Sequence, residues 1–155
     1  MLKKMLLYIL LSASLSYASV TPTMTNVILF DGVCNFCNFW VDLIIKVDKK
    51  KAFRFCPLQT ATGQALLVQI DKKPNDISSI ILIKSSSEHY SKSAAVIKIV
   101  EQIGIFGLVL SWLIRIFPRV FRDLVYDVIA QNRYSFLGMR PECRIQGPSE
   151  GRFLT

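Results

Sequence analysis

A single histidine, His89, stands among the 155 residues. Cysteine-histidine nucleophilic chemistry is thereby excluded, unless that one side chain lies beside a reactive cysteine. Acidic residues are also few, 11 Asp and Glu against 19 Lys and Arg, leaving a formal charge of +8. The basic residues, among them Lys46, Lys49, Lys50, Lys51, Arg54, Arg115, Arg119 and Arg122, are dispersed and lack the interleaved aromatics of a nucleic-acid module. They predict a solvated basic surface and no nucleic-acid partner, with anionic membranes or acidic partners as the alternative. No apolar stretch reaches the roughly 20 residues that a bilayer span needs, and no internal repeat or low-complexity tract appears.

What is present suits one domain with a core of its own. Hydrophobic residues make up 52% of the chain, and part of that excess lies at the start. There Met1-Leu2-Lys3-Lys4 precedes an apolar stretch, Met5 to Leu11, and then small residues ending in Ser16-Tyr17-Ala18. This is the order of a secretory signal peptide cleaved after Ala18, and it predicts an exported protein, whether periplasmic, secretory or organellar. The alternative is translation from Met24 and a cytoplasmic protein. Residues 1–23 are set apart on either reading, and residues 24–155 form the predicted domain. Loss of Lys3 and Lys4 lowers the charge from +8 to +6.

Val27-Ile28-Leu29-Phe30 reads as a buried strand ending at Asp31-Gly32. From Asn35 to about Val47, Phe36, Trp40, Leu43, Ile44 and Val47 recur at spacings of three and four, predicting a helix that packs Phe36 and Trp40 on the sheet. Phe53 to Cys56 reads as a second strand, and Thr60 as the cap of a helix from Ala61 to about Ile70. Ser79–Ile83 and Glu88–Tyr90 read as a hairpin turning at Ser85-Ser86-Ser87, followed by a Ser93-capped helix to about Ile103. Two helices divided near Pro118 close the chain. The apolar one, Ile105 to Phe117, is expected as a buried core helix, with membrane-surface association as its alternative. The predicted fold class is α/β, a βαβ unit joined to a ββα unit with a C-terminal helical extension.

Cys34 and Cys37 straddle the junction of the first strand and first helix. Disulfide exchange needs a thiolate to attack and a second thiol near enough to resolve the mixed disulfide, and two intervening residues supply that reach. Unpaired amides at a helix N-terminus stabilise a thiolate on the first cysteine. Cys34 is therefore the expected nucleophile and Cys37 the resolving thiol, one turn inside and more buried. Asp31 is a candidate to oppose the thiolate or to accept the Cys37 proton. The alternatives are a zinc site completed by Cys56 and Cys143, though neither forms a second close pair, and a non-catalytic membrane-peripheral accessory domain. Cys56, beside Pro57, is expected to be a buried small residue. Cys143 is open between burial, pairing with Cys56 and a third exchange thiol.

The run Asp31-Gly32-Val33-Cys34-Asn35-Phe36-Cys37 resembles the signature of the DCC family of predicted thiol-disulfide oxidoreductases. Phe55 with Pro57-Leu58-Gln59, the Ser93-Ala94-Ala95 helix start, Pro118 and Tyr126-Asp127 through Asn132-Arg133-Tyr134 resemble its later motifs. The resemblance implies a thioredoxin-like domain with protein-disulfide reductase activity, exchanging with protein or small-molecule thiols and disulfides and using no metal or organic cofactor. Arg122, Tyr126, Ile129 and Arg133 share one helical face. Packed over the dithiol, that stripe brings Tyr126 or Arg133 toward the thiolate; otherwise Asp123, Asp127 and Arg133 hold the extension on the core by ion pairs. Thioredoxins carry a cis-proline at the position corresponding to Ile77 and Ser78, and this chain does not.

Overall fold

The computed structural model describes residues 25–74, 78–85, 87–145 and 151–154. The signal-peptide reading of residues 1–23 falls outside them, as do Ile77 of the thioredoxin proline position and Ser86 of the predicted turn.

Four apolar residues without a polar break, Val27–Phe30, form β1 and are buried on both faces. Such a strand needs cover above and below, and the helices supply it. Strand β2 (Arg54–Pro57) pairs parallel with β1, while β3 (Ile81–Ser85) pairs antiparallel with its other edge and β4 (Glu88–Ser91) antiparallel with β3. The sheet order is β2-β1-β3-β4. Because side chains alternate along a strand, Val27 and Leu29 point to one layer and Ile28 and Phe30 to the other.

Helix α2 (Ala61–Gln69) covers the first layer with Leu66 and Leu67. Helices α1 (Asn35–Val47) and α3 (Lys92–Glu101) cover the second through Val41, Ile44, Ala95 and Ile99. This βαβαββα arrangement is a thioredoxin-like fold, extended by α4 (Ile105–Arg115) and α5 (Arg119–Leu137). The last residues return to the sheet, where Phe55 and Phe153 form a parallel bridge along the outer edge of β2.

Thr60 caps α2 as its position predicts, its side chain accepting the Gly63 amide at 3.0 Å. Gly63 is required by contact: a Cβ there would lie 2.3 Å from the Pro57 carbonyl oxygen. Ser93 does not cap α3. The cap position is Ser91, and the Ser93 hydroxyl donates to Asp123 on α5 instead.

Two expectations about helix faces are corrected. Trp40 does not pack on the sheet; it is 45% exposed and stacks edge-on with Phe36, which also meets Phe136 of α5. The sheet-facing side of α1 is Asn38, Val41 and Ile44. The Ile105–Phe117 segment is not a buried core helix, since the buried residues of α4 are Gly107 and Ser111. Gly107 lets α4 approach α3 so closely that a Cβ there would fall 1.8 Å from the Val100 carbonyl oxygen. Helix α5 runs to Leu137, and its inward contacts are polar, made by Asp123, Tyr126, Asp127 and Arg133.

Candidate active site

Strand β1 ends at Asp31, and the turn Gly32-Val33 carries the chain into α1. Cys34 is the N-cap of that helix. Its sulfur accepts the Cys37 amide at 3.2 Å, taking a donor that would otherwise have no intrahelical partner. Asn38, one turn along, fixes the turn by donating through Nδ2 to the Gly32 and Cys34 carbonyl oxygens at 3.0 and 2.8 Å. All four cysteines carry free thiols.

Cys34 is 0% exposed, whereas Cys37 is only partly buried. The sequence predicts the opposite order. The reason is a strap formed by the chain after α5. Gly138 turns at φ +74°, Met139 bridges to Cys34, and Arg140 donates its amide to the Val33 carbonyl at 2.8 Å. Asn35 anchors the strap with its side chain, donating to Leu137 O at 2.9 Å and accepting from Arg140 Nε at 2.9 Å.

The surroundings of Cys37 favour its protonated form. Burial pushes the Cys37 thiol far up, and its hydrogen bond with the Cys34 sulfur, the charge of Cys34 and that of Asp31 push it further; Arg133 opposes them.

Asp31 is buried and fully engaged. Its Oδ1 accepts from the Val33 amide at 3.2 Å and from Gln59 Nε2 at 2.7 Å. Its Oδ2 accepts from the Tyr134 hydroxyl at 2.5 Å and from Arg133 Nε and Nη2 at 3.3 and 3.2 Å. Burial and this bond to Asp31 raise Tyr134 to about 12.

The stripe on α5 is thus brought to the site, but Arg133 meets Asp31 and not a sulfur. Tyr126 accepts the Ile80 amide at 2.8 Å; burial raises its hydroxyl, the bond from Ile80 opposes that, and the charge of Cys37 adds to the rise. Ion pairs also hold the extension: Asp127 pairs with Lys92 of α3 at 2.7 Å and Arg133 with Asp31 at 3.2 Å, whereas the Arg119–Asp123 pair, at 3.4 Å, lies within α5 itself.

Gln59 and Tyr134 were not singled out as site residues by spacing. Their signal lay in the Pro57-Leu58-Gln59 and Asn132-Arg133-Tyr134 runs. Gln59 ties the site together, since its Oε1 accepts the Gly32 amide at 3.0 Å and faces Cys143 Sγ at 3.6 Å. Cys143 lies over the Gly32 turn, where a Cβ would stand 2.4 Å from its sulfur. Burial and then Asp31 raise its thiol. Cys56 is buried in the core, as expected. His89 sits exposed on β4, away from the turn that holds Cys34. Among the described residues no group of three His, Cys, Asp or Glu side chains is placed to hold a metal ion.

The DCC1-like thiol-disulfide oxidoreductase family model matches residues 28–139. The chain is 36% identical over 119 residues to a chloroplastic DCC family protein of Arabidopsis thaliana, covering 77% of this chain and 69% of that one. It is 40% identical over 132 residues to the uncharacterized protein YuxK of Bacillus subtilis, covering 83% of this chain and 93% of that one. No solved structure matches.

Proposed function

The chain belongs to the DCC1-like thiol-disulfide oxidoreductase family, and on that premise we propose that it reduces protein disulfides by cycling Cys34 and Cys37 between dithiol and disulfide. The observation that carries this reading is the Cys34 sulfur at the start of α1, accepting an amide, beside a Cys37 thiol held protonated. An attacking sulfur that stabilises charge and a neighbour that keeps its proton until needed are the two roles exchange requires.

In the proposed cycle the Cys34 thiolate attacks one sulfur of a substrate disulfide. The substrate bond breaks, a mixed disulfide forms, and the released substrate thiolate takes up a proton from water. Cys37 then loses its proton and attacks Cys34, closing the Cys34–Cys37 disulfide and releasing the second substrate thiolate. Two electrons pass to the substrate, and a dithiol reductant restores the pair. Asp31, whose charge helps to hold the proton on Cys37, is the group we assign to receive it. Arg133 balances that charge, and Tyr126 and Gln59 position the turn and the extension around it.

Thiol trapping in graded redox buffers tests the cycle. A reversible bond between Cys34 and Cys37 is expected, with Cys34→Ser abolishing disulfide reduction and Cys37→Ser accumulating mixed disulfides. Failure of the two thiols to pair at any potential would sink the reading.

A further inference from the structure

Helices α4 and α5 are built inside out. On α4 the small residues Gly107 and Ser111 face the protein, while Phe106 is 89% and Trp112 66% exposed. On α5 the polar Asp123, Tyr126, Asp127 and Arg133 make the inward contacts, and Val120 is left 83% exposed. The two apolar sides meet at the Pro118 elbow, where the Phe117 and Phe121 rings stand 5.6 Å apart in the open. Contiguous exposed apolar surface of this kind marks a contact surface.

The charges beside it that no ion pair engages among the described residues are the positive ones of Lys49, Lys50 and Lys51. Lys49, Lys50 and Lys51 are exposed, and a cleft lined in part by Lys50, Ile105 and Leu108 joins them to the start of α4. Among the described residues none of the three lysines forms an ion pair. Arg115 and Arg119 flank the elbow. The acids beside them, Glu101 and Asp123, are already engaged, Glu101 by Arg115 and Lys98 and Asp123 by Arg119. A second copy would bring like charge against like. An anionic bilayer complements both the charge and the apolar side chains. No helix among the described residues is long and apolar enough to cross a membrane, so the contact is one of lying on the surface.

We propose that α4, the elbow and the first turns of α5 seat on an anionic lipid surface, with Phe106, Trp112 and Val120 among the acyl chains and Lys49–Lys51 in the headgroup layer. The inference does not depend on the dithiol cycle. The chain has two tryptophans, so full-length Trp40→Phe reports on Trp112 alone.

With vesicles containing anionic lipid, its emission is expected to shift to the blue and to be quenched by brominated acyl chains. Neutralising Lys49, Lys50 and Lys51 to Gln is expected to lower partitioning about a hundredfold, roughly fivefold per lysine. Val120→Ser is expected to weaken it without changing that charge dependence. Three results would overturn the proposal. One is vesicle binding without Trp112 quenching, which places the contact elsewhere in the chain. Another is equal partitioning onto purely zwitterionic vesicles. The third is a blue shift that grows with protein concentration when no lipid is present, which makes the occupant a second copy.

Discussion

The Tyr134 hydroxyl donates to Asp31 Oδ2 at 2.5 Å, joining the end of β1 to the last helix across 103 positions of sequence. Arg133 reaches the same oxygen. The carboxylate before the dithiol is thus a fastening for the extension as well as a charge beside Cys37, and the two functions can be separated by substitution.

Asp31→Asn takes the carboxylate away from Arg133, whose side chain is 13% exposed against 3% for Asp31 and which keeps its bonds to Ala130 O and the Tyr134 hydroxyl. Breaking such a buried pair costs about 3 kcal/mol, expected as a lower midpoint in denaturant. Tyr134→Phe removes only the hydroxyl and is expected to cost about 2 kcal/mol, the scale of a hydrogen bond to a charge. If Asp31 takes up the Cys37 proton, Asp31→Asn also lengthens the life of the mixed disulfide, while Tyr134→Phe leaves it closer to wild type. Equal lifetimes in both variants would leave Asp31 a fastening only.

Stability is expected to fall on the alkaline side. Cys37 is raised above its ordinary 9.0 and Tyr134 above 10.0, so the folded state keeps protons that the unfolded chain has released. Their contribution is whole below about pH 9 and is lost as pH rises through the thiol and phenol range, at up to about 1.4 kcal/mol per unit for Cys37 and less for Tyr134, which solvent screens. Denaturation at a series of pH values checks this. Cys37→Ala is expected to flatten the first part of the decline.

The strap over Cys34 is expected to control its accessibility. Asn35→Ala removes both side-chain bonds that hold the strap, and at about 1 kcal/mol each, discounted for exposure, opening becomes about tenfold more frequent. Mass-spectrometric timing of Cys34 alkylation should show that acceleration. An unchanged rate would mean that reagents reach the sulfur by another route.

Gly63→Ala is expected to destabilise the protein by about 2 kcal/mol, as overpacking does, even though alanine improves helix propensity by about 1 kcal/mol. The Pro57 carbonyl that the new methyl would strike is backbone and cannot rotate away. Thermal unfolding of the variant measures the sign directly.

The elements of the fold were largely legible in the sequence because they depend on local pattern. Val27–Phe30 is apolar throughout, Thr60 precedes a helical run, and the cysteine spacing sits where a strand meets a helix. Which side of a helix faces the core was less legible. The apolar spacing of α1 pointed to Phe36, Trp40, Leu43, Ile44 and Val47, yet of these only Ile44 is buried, beside Val41 and Asn38, and the long α5 takes part of the other side. In α4 the pattern misleads for a related reason: its apolarity is not burial, and the tight approach at Gly107 depends on what is missing from a residue. The five hydrogen bonds on Asp31 lay beyond local reading, since most come from Gln59, Arg133 and Tyr134. The cover on Cys34 came from further still, in a segment that forms neither helix nor strand.

The polar underside of α5 also sets how the helix would come away. Global unfolding exposes apolar surface and so carries a large heat-capacity increase and a steep response to denaturant. Parting α5 from the core would mainly hydrate Asp123, Asp127, Arg133 and two tyrosines, with the Phe36–Phe136 contact the chief apolar surface uncovered. Such a release is nearly silent in calorimetry and weakly sensitive to urea, yet responsive to ionic strength. Hydrogen exchange along residues 119–137 would register it as an opening whose free energy follows salt and not denaturant.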